Sequence, residues 1–151
     1  SLFEASCVSA ALSVGASSEA VEAMRTYAVA LGRAFQIKDD IFDYSGTESV
    51  GKPLGVDILE QKMTMPLLGA YANVSSDEET RVRGMVKDIV GHPEFRDEIV
   101  AFVKDNKGLE AAEERLDRYV VEAVAALDVL PESCERDLLV KLARYTALRE
   151  K

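Results

Sequence analysis

The chain has 151 residues, 48% of them apolar and 30% charged, with nine glycines, four prolines and a net charge of −9. That composition allows one domain with a real core in a helix-rich globular protein, and it excludes intrinsic disorder. With no basic stripe, no polybasic segment and no apolar run near the roughly 20 residues of a bilayer span, nothing points to nucleic acid, a membrane surface or an integral membrane segment. No signal peptide is legible. Cys7 and Cys134 form no metal-spaced pair and are expected to be reduced, buried thiols in a cytoplasmic protein.

In chain order, Leu2 to about Leu12 is small, apolar and nearly uncharged, which predicts a helix buried on all sides. Gly15 ends it. Ser17 or Ser18 caps a long second helix running through Met24, Tyr27, Leu31 and Phe35 to about Tyr44. The loop from 45 to 56 holds three of the nine glycines. Asp57 opens a short helical turn, and Thr64 with Pro66 starts a helix that reaches about Ala72. Ser76-Asp77-Glu78-Glu79 reads as a capping box for a helix over 77–90, stopped by Gly91-His92-Pro93. A further helix runs to about Lys104. Leu109, Ala112, Leu116, Tyr119, Ala123, Leu127 and Leu130 then recur at alternating three and four until Pro131. A last helix carries Leu138, Leu142 and Tyr145. There is no strand alternation, repeat or linker, so residues 1–151 read as a single all-α domain, a helical bundle.

The chemistry concentrates at the end of the second helix. At 100° per residue, Gln36, Asp39, Asp40 and Asp43 share an arc about 100° wide. Ile37 and Ile41 border it on one side, Phe35 and Phe42 on the other, while Lys38 points away. A solvated acidic face seldom has large apolar borders. Each like-charged pair at this spacing costs roughly 0.2–0.5 kcal/mol, and the negative end of the helix dipole adds to the demand for a cation. Gly51-Lys52-Pro53-Leu54-Gly55-Val56-Asp57 and Lys62 follow. Carboxylates on a helix and lysines on a constrained loop suit a Mg²⁺–polyphosphate complex, since Mg²⁺ takes one or two carboxylates and completes its shell with water and phosphate oxygens.

The run F-Q-x-x-D-D-x-x-D, then G-K-P-x-G-x-D, then K-x-T-x-P resembles the second aspartate-rich region of the trans-isoprenyl (polyprenyl) diphosphate synthases. Ser1-Leu2-Phe3-Glu4-Ala5-Ser6-Cys7 is similar to the helix that follows that family's Lys-Thr pair. Ala126-Leu127 with Leu130-Pro131 and Ser133 through Arg144-Tyr145 and Arg149 resemble its C-terminal helices. A lone DDxxD is weak evidence in an acidic chain, but all these segments in register are specific.

The resemblance implies the C-terminal part of the isoprenoid synthase fold and a Mg²⁺-dependent transferase. That enzyme joins isopentenyl diphosphate head-to-tail to an allylic prenyl diphosphate and releases pyrophosphate. It implies that Asp39 ligates Mg²⁺, with Asp40 and Asp43 acting directly or through metal-bound water. Lys52 and Lys62 would contact the allylic diphosphate, Gln36 would hydrogen-bond near it, and Phe35 would line the pocket. Asp57 would orient a lysine or a metal-bound water. Plainer roles stand beside these: Phe35 as core, Thr64 as a helix cap, His92 as a loop residue, Tyr27, Tyr71, Tyr119 and Tyr145 as packing, Arg149 in a frayed tail.

The family's first aspartate-rich motif, its basic pair for isopentenyl diphosphate and its Lys-Thr pair have no counterpart here. The isolated chain is therefore expected to be inactive, with the longer parent, commonly a homodimer in this family, as the enzyme. Rival readings are a terpene cyclase of the same fold and a non-catalytic regulatory or assembly subunit. The first helix, apolar all round, implies a missing half or a dimer interface.

Overall fold

The computed structural model describes residues 1–45 and 55–150, and every regular element among them is helical. In order these are α1 (Leu2–Ser13), α2 (Ser18–Ser45), α3 (Val56–Leu59), α4 (Met65–Tyr71), α5 (Ser76–Asp88), α6 (Phe95–Asp105), α7 (Gly108–Ala126), a 3-10 turn (Leu127–Val129) and α8 (Cys134–Leu148). The all-α expectation holds. The Gly51-Lys52-Pro53 segment lies outside the described residues.

The chain forms two compact units, one of residues 1–38 and 115–151 and the other of 39–114. In the first, Ala28, Ala30 and Ala34 of α2 are fully buried, and Tyr27, Leu31, Leu116, Ala123 and Leu127 fill the core with them. The Tyr27 hydroxyl donates to the Leu139 carbonyl at 2.9 Å, which satisfies a buried phenol that would otherwise be costly. In the second unit α6 packs against α3, α4 and α5. Its core joins Tyr44, Ile58, Leu67, Val82, Ile89, Ile99 and Val103.

Caps explain the helix starts. The Ser1 hydroxyl accepts from Glu4 N and the Ser17 hydroxyl from Ala20 N, each at 3.2 Å. The cap of α5 sits one residue earlier than expected: Ser75, not Ser76, accepts from Glu78 N. The sequence offers two adjacent serines, and the one with extended backbone takes the role.

Three burial expectations fail. α1 is not buried on all sides: only Ala11 is, while Leu2 is 82% exposed and Leu12 61%. Phe3, Cys7 and Val8 are half-buried. Its apolar residues lie all round the helix, and this chain covers one stripe of them. Cys7 is only half-buried and Cys134 is exposed, although both are free thiols. Tyr145 is exposed rather than packed, on a stripe of α8 with Leu138, Leu142 and Leu148.

Candidate functional site

The aspartate stripe does not stand alone on its helix. Asp40 Oδ2 accepts the backbone N–H of Met65 at 2.9 Å, at the first residue of α4. Asp43 accepts with both oxygens, Oδ1 from Val56 N and Oδ2 from Asp57 N, each at 3.1 Å. Both carboxylates thus occupy helix N-termini, where unsatisfied N–H groups and the positive end of the dipole favour negative charge. α3 has no side-chain cap of its own: its N-cap is Gly55, with φ +72°. A Cβ there would meet Arg96 Cγ at 3.0 Å, so glycine suits both the backbone and the space. The Gly55 N–H donates to the Asp43 carbonyl at 2.9 Å.

Thr64, expected as the cap of α4, holds the N-cap position without a side-chain cap hydrogen bond. Its hydroxyl instead pairs with the Tyr44 hydroxyl at 2.7 Å. Both residues are buried, and burial is the main cause that pushes the Tyr44 phenol well above its ordinary value, the Thr64 hydrogen bond opposing it. Tyr44 was not among the residues singled out from sequence. The signal was available, because Tyr44 lies about 40° from Asp40 around the helix.

Lys62 belongs to the same unit. Its Nζ lies 2.8 Å from Asp57 Oδ1 and 2.6 Å from Glu60 Oε2. Hydrogen bonds first from Asp57, then from Glu60, hold its pKa above the ordinary lysine value, so it is a cation at neutral pH. The ammonium is exposed, and such a pair is easily exchanged for another anion. Lys62 N donates to the Asp57 carbonyl at 2.9 Å, so the turn from 57 to 62 is closed by backbone as well. Asp39 sits half-buried on the same helix. Lys52 lies outside the described residues.

In the other unit, Phe35 and Gln36 are exposed and border an open cleft of about 520 Å³ with Phe3, Gly32 and Arg33. Phe35 is 36% exposed, its ring 5.5 Å from that of Phe3. Arg149, expected in a frayed tail, instead lies with its guanidinium 4.2 Å from the Phe35 ring centre and donates to the Phe35 carbonyl at 3.3 Å. His92 is exposed in its loop, 2.9 Å from Glu94.

Among the described residues no three His, Cys, Asp or Glu side chains form a cage for a metal on their own. The donors present are hard carboxylate oxygens, in the same unit as a lysine. That fits an ion held by few protein oxygens and completed by phosphate, the habit of Mg²⁺, rather than one held by an all-protein cage.

The arrangement is that of an all-α protein in which the aspartates Asp40 and Asp43 and Lys62 belong to one compact unit. The polyprenyl synthetase family model matches residues 1–103. Octaprenyl diphosphate synthase of Haemophilus influenzae is 35% identical over 143 residues, covering 94% of this chain and 43% of that protein. The crystal structure of geranylgeranyl pyrophosphate synthase from Bacteroides thetaiotaomicron superposes with a TM-score of 0.87 at 36% identity, over 98% of this chain and 49% of that one. Polyprenyl synthase from Caulobacter crescentus, solved with calcium and isoprenyl diphosphate, gives 0.81 at 32% identity, over 98% and 45%. The chain belongs to the polyprenyl synthetase family, and it spans about half the length of the relatives it matches. No helix among the described residues is long and apolar enough to cross a membrane.

Proposed function

We propose that this chain is one all-helical part of a trans-polyprenyl diphosphate synthase and supplies one wall of its active site. The observation that carries the reading is the fixing of Asp40 and Asp43 to the backbone on either side of Lys62, which sets metal-binding carboxylates and a diphosphate-binding cation on one frame. The substrates are isopentenyl diphosphate and an allylic prenyl diphosphate.

In the reaction the allylic C–O bond breaks and its electron pair leaves with pyrophosphate. The double bond of isopentenyl diphosphate forms the new C–C bond, and a proton is lost to restore the alkene. The difficult part is the growth of negative charge on the leaving group in an apolar setting. Mg²⁺, when bound, supplies positive charge for the diphosphate. Asp39, Asp40 and Asp43 would hold it, Asp39 as a direct ligand and the other two directly or through metal-bound water. Lys62 and Lys52 give their ammonium groups to the diphosphate oxygens, and Lys62 exchanges Glu60 for them while keeping Asp57. Asp57 orients Lys62, Gln36 donates to the diphosphate, and Phe35 offers an apolar wall to the prenyl chain. The working enzyme is read as a cytoplasmic homodimer on the strength of the family resemblance.

Calorimetry with Mg²⁺ and pyrophosphate added together tests this. Binding that needs both, and that Asp39→Ala abolishes, is the expected result. Absence of coupled binding, or an Asp39→Ala variant that binds as well as the parent sequence, favours a non-catalytic helical subunit. The chain alone is expected not to turn over an allylic diphosphate with isopentenyl diphosphate, and robust turnover would overturn the view that it is one wall only.

A further inference from the structure

The segment from Val56 to Met65 hangs from α2 at both of its ends. At its start, Val56 N and Asp57 N bond to Asp43. At its end, Met65 N bonds to Asp40 and the Thr64 hydroxyl to Tyr44. Lys62 lies between these anchors. Asp40, Asp43 and Tyr44 are spaced i, i+3 and i+4, so one face of α2 makes all of the attachments. Inside the segment, Gln61 takes a left-handed backbone, φ 57°, and its side-chain amide donates to the Lys87 carbonyl at 2.7 Å. The backbone that aims Lys62 is therefore fixed on three sides.

The Tyr44–Thr64 pair is the unusual member of this set. A phenylalanine and a valine would fill the same space without burying two hydroxyls. Tyr44 has no exposed surface and Thr64 only 3%, so the hydroxyls serve neither solvent nor any surface ligand. What a directional bond adds over apolar packing is a defined register between the two backbones.

We propose that Tyr44 and Thr64 are positioning residues: their buried hydroxyl pair, together with the Asp40 and Asp43 caps, sets the place of Lys62 relative to the aspartate helix, so that metal and diphosphate meet a frame already built. This rests on the function proposed above. Neither residue touches the diphosphate. Both act through Lys62, whose flexible four-carbon stem is accurately placed only if its backbone is.

The test is the affinity of the whole chain for Mg²⁺–pyrophosphate. The Tyr44→Phe/Thr64→Val double variant removes both polar partners and leaves no unpaired hydroxyl, so it is expected to keep its helical circular-dichroism spectrum. Its affinity is expected to fall about tenfold, within the range of coupling between contacting residues. Thr64→Ser keeps the hydroxyl and is expected to restore the parent value. In a Lys62→Ala background the same double variant is expected to change affinity less than about twofold, because the residue it acts through is gone. A double variant that binds like the parent overturns the proposal, and so does an equal loss with and without Lys62. If the parent chain shows no coupled binding, the functional reading fails first and the positioning role falls with it. If Asp39→Ala abolishes binding while the double variant leaves it intact, the positioning role alone fails. Should the double variant lose helicity, Thr64→Ser against Thr64→Val in the otherwise unchanged chain gives the same decision.

Discussion

The Asp43 carboxylate accepts the backbone N–H of Asp57 at 3.1 Å while its other oxygen accepts Val56 N at the same distance. A motif residue whose sequence setting suggests metal chemistry is thus also the cap of a four-residue helix. The roles are compatible, since a carboxylate has about four lone-pair directions and accepting two backbone N–H groups does not exhaust them. They separate in experiment. Asp43→Ala removes the cap and is expected to lower stability by about 1–2 kcal/mol, near the upper range for a lost N-cap. For a chain of this length that is a fall in melting temperature of about 2–4 °C per kcal/mol. The loss should be present without Mg²⁺. Asp43→Asn keeps one acceptor and should recover part of it. A melting temperature unchanged in Asp43→Ala would show that the cap contributes nothing.

A lysine that answers to substrate should behave differently from one that staples the fold. Lys62 pairs with Asp57 and Glu60 at an exposed position, where ion pairs contribute little. Lys62→Ala is accordingly expected to leave the thermal melt unchanged while weakening Mg²⁺–pyrophosphate binding by about tenfold or more. Raising salt should weaken binding in the parent chain more than in Lys62→Ala. Loss of stability without loss of binding would make Lys62 a structural residue.

The family, the all-α class and most helix boundaries were legible in the sequence because they rest on local signals: heptad-like spacing, serines before apolar runs, glycine and proline between them. What was not legible is non-local. Helical period shows that Asp40, Asp43 and Tyr44 share a face. It does not show that Met65, Val56 and Thr64, from 13 to 25 residues further along, come to meet that face. Thr64 was read as a cap because threonine before a proline-led helix usually is one. Asp40 takes that task from a distance and leaves Thr64 to Tyr44. The exposure of α1 has a related cause: hydropathy states what a helix can bury, not what is there to bury it.

Three buried phenols make stability depend on alkaline pH. Burial pushes Tyr27 up to about 12 and Tyr44 higher still, and it raises Tyr71 as well. In the unfolded chain all three revert to about 10. Above that value the unfolded state has lost protons that the folded state keeps, so stability falls as pH rises. The contribution is complete below about pH 10 and is lost progressively above it, by on the order of 2 kcal/mol for Tyr27 as pH approaches its folded value. Near-ultraviolet tyrosinate absorbance should show three of the chain's five tyrosines ionising only together with loss of helical circular dichroism. Tyr27→Phe should flatten the alkaline limb. Early, reversible ionisation of all five without unfolding would contradict the burial.

Lys107 and Gly108 join α6 to α7 under opposite demands. Lys107 holds a left-handed backbone, φ 56°, which costs a non-glycine residue roughly 1–2 kcal/mol. A Cβ on Gly108 would fall 2.3 Å from the Pro66 carbonyl oxygen and 2.8 Å from Val103 Cγ1, so α7 approaches α4 only because that atom is missing. Lys107→Gly relieves the strain, and the added freedom of the unfolded chain offsets part of the gain. It is expected to raise stability by about 0.5–1 kcal/mol. Gly108→Ala must push α4 or Val103 aside and is expected to lower stability by about 3 kcal/mol, at the high end for overpacking because one of the clashing atoms is backbone. Urea melts of the two variants give opposite signs if this is right, with the slope unchanged in both. A Gly108→Ala midpoint equal to that of the parent chain would mean that α7 can tilt away from Pro66 at no cost, and the close approach would then not be what the glycine is for.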